Sequence, residues 1–140
     1  EITIEGFIAF HGSIHDTDRY VIDEKDALDN FQLLENLPND IRLGFYGHTH
    51  VRSAMSCQRG KVSLEPEEEL RLSHWKRYLI NPGSVGQPRD RDPSASFIVY
   101  DRFNEKVTFY RADYDIATCQ EKIIKAGLPI ELATRLSIGR

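Results

Sequence analysis

Two short apolar segments, Phe7–Phe10 and Ile41–Tyr46, carry most of the constraint on how this chain can fold. Each has the length of a buried strand and runs straight into histidine and glycine. His11-Gly12-Ser13 follows the first, and Gly47-His48-Thr49-His50 follows the second. Between them, Leu28, Phe31, Leu34 and Leu37 recur every three residues, with Ala27 and Leu33 beside them. That spacing predicts a helix from about Asp26 to Asn36, ended by Pro38. Residues 14–24 are polar and irregular and read as a loop. Strands and helix in this order indicate an α/β sheet, which places its sites in the loops at strand C-termini.

The remainder is richer in strands, giving an α/β class with α+β character. Ile2 and Ile4 alternate with polar residues, as in a half-buried strand, and Gly6 breaks the run. Val51–Cys57, Lys61–Leu64 and Glu69–Leu72 are candidate strands, with Arg59-Gly60 as the first turn. The acidic run Glu65-Pro66-Glu67-Glu68-Glu69 reads as a solvated edge. Tyr78–Ile80 is a short strand, and Ser96–Tyr100 with Val107–Tyr110 forms a hairpin around Asn104. Asp115 can cap a helix carrying Ile116, Cys119, Ile123 and Ala126, which Gly127 stops. Pro129 suits the first turn of a final helix with Leu132, Ala133 and Leu136. Neither a repeat nor a linker divides the sequence, so residues 1–140 read as a single domain.

Composition narrows the function classes. Of 140 residues, 40% are hydrophobic and 29% charged, which is globular and not disordered composition. A net charge of −4 argues against a broad nucleic-acid face, while a local cationic site stays open. No apolar run approaches the roughly 18–20 residues of a membrane span. Cys57 and Cys119 are far apart and do not form a disulfide framework, which fits a reducing, cytoplasmic setting.

Three segments can carry chemistry. In an extended Gly47-His48-Thr49-His50, residues i and i+2 project to one side with Cα atoms about 6–7 Å apart. Two imidazoles held so can each serve one ion of a metal pair spaced roughly 3.5–4 Å. The bland alternative is a surface loop that happens to hold two histidines. His11 ends the neighbouring strand and would lie near both, unless it is a hydrogen-bonded structural histidine. The third segment runs from Asn81 to Arg89 with two glycines and two prolines. It can offer backbone N–H groups to an anion, and Arg89 can clamp phosphate, or it is merely a turn. Arg89 can equally ion-pair with Asp90 or Asp92. His15 and His74 read as exposed, and Trp75 and Tyr78 beside Lys76 and Arg77 as a strand with a polar face.

Taken together, Phe10-His11-Gly12-Ser13, Phe45-Tyr46-Gly47-His48-Thr49-His50-Val51 and Asn81 through Arg89 resemble the calcineurin-like metallophosphoesterase superfamily. The likeness is to its small prokaryotic phosphoesterase and serine/threonine phosphatase-like members. Tyr114-Asp115, Ala126-Gly127-Leu128-Pro129 and Arg135-Leu136 add to it. The resemblance implies a four-layer αββα sandwich, of which this chain would be the C-terminal half. It also implies a hydrolase of phosphomonoesters or phosphodiesters, acting through a metal-bridging hydroxide. His11 and His48 would bind one divalent metal ion and His50 the other. The pair could be Mn, Fe, Zn, Co or Ni. Arg89 would contact the substrate phosphate. Neutral imidazoles are needed for ligation, so activity should fall below about pH 6.

The superfamily's earlier motifs, Asp-x-His, Gly-Asp and Gly-Asn-His-Asp, do not occur in these residues. Asp16, Asp18, Asp23, Asp90 and Asp92 sit in no matching context, and Asp16 and Asp18 read as solvated loop residues. Three imidazoles shared by two ions fall short of the usual three or more protein ligands each. The expectation is therefore a C-terminal portion of a longer domain, Glu1–Ile4 already reading as mid-fold. Its expected partners are a phosphoester substrate and the missing N-terminal half, from the same or another chain. Exposed sheet surface would favour a homo-oligomer. A non-catalytic phosphoesterase-fold scaffold that docks proteins is the alternative, and a plain histidine cluster that binds ions weakly is a third.

Overall fold

The apolar segments that open the sequence become neighbouring parallel strands. The computed structural model describes residues 2–4, 6–37 and 41–140. A six-stranded sheet is built from β1 (Ile2–Ile4), β2 (Phe7–Ala9), β3 (Leu43–Phe45), β7 (Arg77–Asn81), β4 (Ser53–Gln58) and β5 (Lys61–Leu64), in that spatial order. A second sheet pairs β6 (Glu69–Arg71), β9 (Lys106–Ala112) and β8 (Ala95–Asp101). β2, β3 and β7 are parallel to one another, and β1, β4 and β5 add antiparallel edges.

The central strands are apolar throughout because both of their faces are covered. Ile8 and Leu79 face the helix α1 (Glu24–Glu35), whose Ala27, Phe31 and Leu34 are buried against them. Leu43, Tyr78 and Ile80 face the other way and meet Leu70, Val107 and Phe109 of the small sheet. Full burial of a side chain such as Phe31 or Leu34 contributes about 1.5–3 kcal/mol. Helix, large sheet and small sheet make three successive layers.

α1 begins two residues earlier than the apolar spacing predicts. The Asp23 side chain accepts from the Asp26 backbone N–H at 2.8 Å and caps the helix, and Glu24 and Asp26 favour its positive end. Pro38, the expected stop, lies outside the described residues, as does Glu1. The hairpin of β8 and β9 stands as expected, and Arg59-Gly60 turns between β4 and β5 with both φ angles positive. The acidic run is less solvated than its composition suggests. Glu65 takes hydrogen bonds from Ser56 and Lys76, and Glu68 pairs with Arg52.

After β9, Asp115 caps α2 (Ile116–Lys125), and α3 (Ile130–Thr134) leads into a 3₁₀ turn, Arg135–Ile138. α2 buries none of its residues and packs against α3 and that turn. The outer face of the small sheet carries the half-exposed Phe97, Val99 and Tyr110, with Phe97 and Tyr110 stacked 5.5 Å apart. No helix among the described residues is long and apolar enough to cross a membrane.

Candidate functional site

Register brings the three chemistry-bearing segments together. Ala9 pairs with Phe45 and Phe45 with Ile80, so β2, β3 and β7 end at one level. The ladder continues into the loops. Phe10 N–H donates to Phe45 O at 3.0 Å, Tyr46 N–H to Ile80 O at 3.0 Å, and Gly47 N–H to His11 O at 2.8 Å. His11, His48, His50 and the Asn81–Arg89 loop therefore emerge side by side, at the strand C-termini where α/β sheets carry their sites.

His11 stands on a loop anchored from below. The buried Asn30 of α1 accepts from Ser13 Oγ at 3.0 Å and from Ile14 N–H at 2.9 Å, and it donates to Asp26 O. Gly12 is required by close approach. A Cβ there would lie 2.5 Å from the backbone oxygens of both Thr17 and Arg19. The loop thus folds back over its own start and delivers Asp18 and Tyr20 to the histidines. The His11 and His48 rings lie 4.7 Å apart, and the Tyr20 ring stacks on His48 at 4.2 Å, inclined by 15°.

An extended run predicted from spacing is not what carries His48 and His50. Both have positive φ, 69° and 59°, in the left-handed region that non-glycine residues enter at a cost of order 1 kcal/mol or more. Asn81 holds the turn in place. It is fully buried, donates to Gly47 O at 3.1 Å and Thr49 Oγ1 at 2.9 Å, and accepts from Gly83 N–H. Strain of this kind, held by a buried amide, is found preferentially at functional sites.

The carbonyls around the rings select tautomers, because a carbonyl only accepts. His50 Nδ1 lies 2.8 Å from Gln87 O and must donate to it, leaving the Nε2 lone pair available. His48 Nε2 lies 3.2 Å from Asp18 O and must donate there, which leaves the lone pair on Nδ1. Burial lowers the affinity of His50 for a proton, and the Arg89 charge acts in the same sense, together outweighing the hydrogen bond to Gln87 O that opposes them. Such an imidazole is kept in the neutral form that ligates metals.

Arg89 sits on the same rim. Its backbone N–H donates to His50 O at 3.1 Å, and its guanidinium meets Gln87 Oε1 at 3.4 Å. Asp90 and Asp92, the other partners open to it from sequence, are held instead by Arg111 of β9. His15 and His74 are exposed, and His74 Nε2 faces Glu105 at 3.2 Å. Tyr20, Gln87, Asn81 as an anchor and Arg111 are the participants that sequence reasoning does not find. Only the Asn-Pro-Gly opening of the loop signals any of them.

The donor chemistry fits a metal, but the set is partial. Two imidazoles present identified lone pairs, and a third ring adjoins them. Yet no group of three or more His, Cys, Asp or Glu side chains that could hold an ion occurs among the described residues. The three histidines suit one wall of a metal centre rather than a whole one.

No protein-family profile matches the chain. It is 44% identical over 96 residues to the uncharacterized protein MJ0912 of Methanocaldococcus jannaschii, a match covering 69% of this chain and 39% of that protein. It is similar to the crystal structure of a metallophosphoesterase from Sphaerobacter thermophilus, with a TM-score of 0.83 and 34% identity. That match covers 99% of this chain and 57% of the other. The hypothetical protein PH1004 from Pyrococcus horikoshii OT3 shares the fold, with a TM-score of 0.68 and 17% identity over 95% of this chain and 46% of that one. The chain thus spans less than two thirds of the length of each. Its architecture is the mixed α/β fold found in a metallophosphoesterase.

Proposed function

We propose that these residues form part of a metal-dependent phosphoester hydrolase and supply the later histidine ligands of a two-metal centre. One observation carries the proposal: His11, His48 and His50 converge at the ends of adjacent parallel strands, the last two on a strained turn fixed by Asn81. His48 Nδ1 and His50 Nε2 are the nitrogens left to ligate, with His11 beside His48. Divalent ions bound there would polarise a phosphoryl oxygen and lower the pKa of water.

The chain's own groups would then do the following. Gln87 O fixes the plane and tautomer of His50, and Asp18 O does the same for His48. Tyr20 screens one face of His48 from water. Arg89, tied to His50 through its backbone, places a permanent positive charge on the rim where a phosphate would sit. Carboxylate ligands would have to come from sequence outside these residues or from another chain. The substrate, the partner half and homo-oligomerisation belong to the same proposal.

The test is hydrolysis of an artificial phosphoester by the full natural gene product with and without Mn²⁺. Metal-dependent turnover that falls by about 10–100-fold or more in His50→Gln is the expected result. A full-length protein with no turnover under any divalent metal would sink the hydrolase and leave the alternative, a non-catalytic scaffold. A full-length sequence lacking the upstream Asp and Asn motifs would favour that alternative.

A further inference from the structure

Beside the histidines lies a cleft of about 290 Å³ that the proposed chemistry does not use. It shares two residues with the site. Tyr20 lines it and stacks on His48, and Thr49, between His48 and His50, forms its rim. The other walls are apolar: Ile22, Val51, Met55 and Leu64. At its edge Tyr46 and Ser53 share a hydrogen bond of 2.9 Å. Two hydroxyls joined by one bond retain one unused O–H donor between them.

We infer that this cleft seats the ring-sized, largely apolar alcohol portion of a phosphoester whose phosphate lies at His11, His48 and His50. The inference rests on the hydrolase proposal and adds the substrate class to it. Size supports it, since an apolar cavity of about 150 Å³ admits benzene and this one is larger. Chemistry supports it as well. Pockets for organic ligands are mostly apolar with few placed polar groups, as here with the single spare hydroxyl donor. A small polar alcohol would gain nothing from Ile22, Met55 and Leu64. Ile22 and Leu64 are 74% and 70% exposed, a poor use of apolar side chains unless something covers them. The shared Tyr20 and Thr49 set the cleft directly beside the imidazoles, which favours the alcohol end of the same substrate as that cover.

Because Ile22 and Leu64 are exposed, Ile22→Asp and Leu64→Asp change the cleft without touching the core or the histidines. The probes are 1-naphthol and inorganic phosphate, titrated into the full natural protein labelled at its methyl groups and followed by NMR. 1-Naphthol is expected to shift the Ile22, Val51 and Leu64 methyls, and each variant to weaken it at least tenfold while inorganic phosphate binds unchanged. With 1-naphthyl phosphate as substrate, the same variants should raise KM about tenfold and leave kcat within twofold. Absence of naphthol shifts at these methyls, or binding that neither variant alters, overturns the inference. So does finding these methyls covered by other parts of the full-length protein. If naphthol binds here but no metal-dependent hydrolysis is found, the hydrolase proposal falls and the ring site remains as a ligand site. Hydrolysis with no preference for ring-bearing esters overturns the ring site alone.

Discussion

Gly12 shows how a single residue sets the geometry of the histidines. Its missing side chain lets the carbonyls of Thr17 and Arg19 pack onto the backbone beside His11, which is what carries Asp18 and Tyr20 to His48. Gly12→Ala should therefore push the loop away and destabilise the fold by about 1–3 kcal/mol, the usual range for overpacking. The check is the urea midpoint, together with the ring chemical shifts of His48, which should lose the signature of the stacked Tyr20. An unchanged midpoint and unchanged shifts would mean the loop has slack. At this scale the sequence is legible where the signal is local. His11 and His48 stand out because each adjoins a glycine at the end of an apolar strand, and His50 because it follows His48 by two positions. Tyr20 and Gln87 do not, because their contacts cross long stretches of chain, and His50 reaches Gln87 across 37 positions. The left-handed backbone at His48 and His50 is also silent, since the turn is imposed by Asn81 from another strand.

At the level of elements, β9 reaches the site through Arg111. Its guanidinium bonds both Asp90, whose side chain is 12% exposed, and Asp92, and so ties the Asn81–Arg89 loop to the small sheet. Arg111→Met should cost about 1.5–3 kcal/mol, as expected for lost hydrogen bonds to a charged group. Adding Asp90→Asn should recover part of it, because the stranded carboxylate is then neutral. Chemical denaturation of both variants checks this, and equal stability of the two would rule out the clamp. The acidic run makes a second case. Burial raises the Glu65 carboxyl pKa, but hydrogen bonds from Lys76 and Ser56 outweigh it and hold the group below its usual 4.5. The unfolded chain thus binds the proton more readily. The contribution of Glu65 is present above about pH 4.5 and is lost as pH falls through the folded value. Lys76→Gln should flatten the acid limb of Tm against pH; an acid limb identical to wild type would contradict this. Element types follow from periodicity and turn residues, which act over a few positions. Partners such as Lys76 and Arg111 do not, because tertiary pairing of charges leaves no periodic trace.

Taken as a whole, the described residues present apolar surface to solvent. Phe97, Val99 and Tyr110 are exposed on the small sheet, whose edge strand is β8, while α2 buries no residue and Ile124, Leu128 and Ile130 stand in solvent. Surfaces of this kind drive association. Sedimentation of these 140 residues should show concentration-dependent self-association that Val99→Lys suppresses. A monomer at all concentrations would mean that the exposed faces are tolerated. The layered order of helix, large sheet and small sheet was readable in outline from apolar strands and a hairpin. The way α2 and α3 sit was not, because an amphipathic spacing announces a face to be covered without naming its cover.

The most direct test of the histidine site is anomalous X-ray scattering from crystals of the full natural protein grown with Mn²⁺. Two peaks are expected, one at the rings of His11 and His48 and one at His50 Nε2, with the second lost in His50→Gln. Peaks elsewhere, or no peaks although the protein is folded, would contradict the assignment of these histidines as metal ligands.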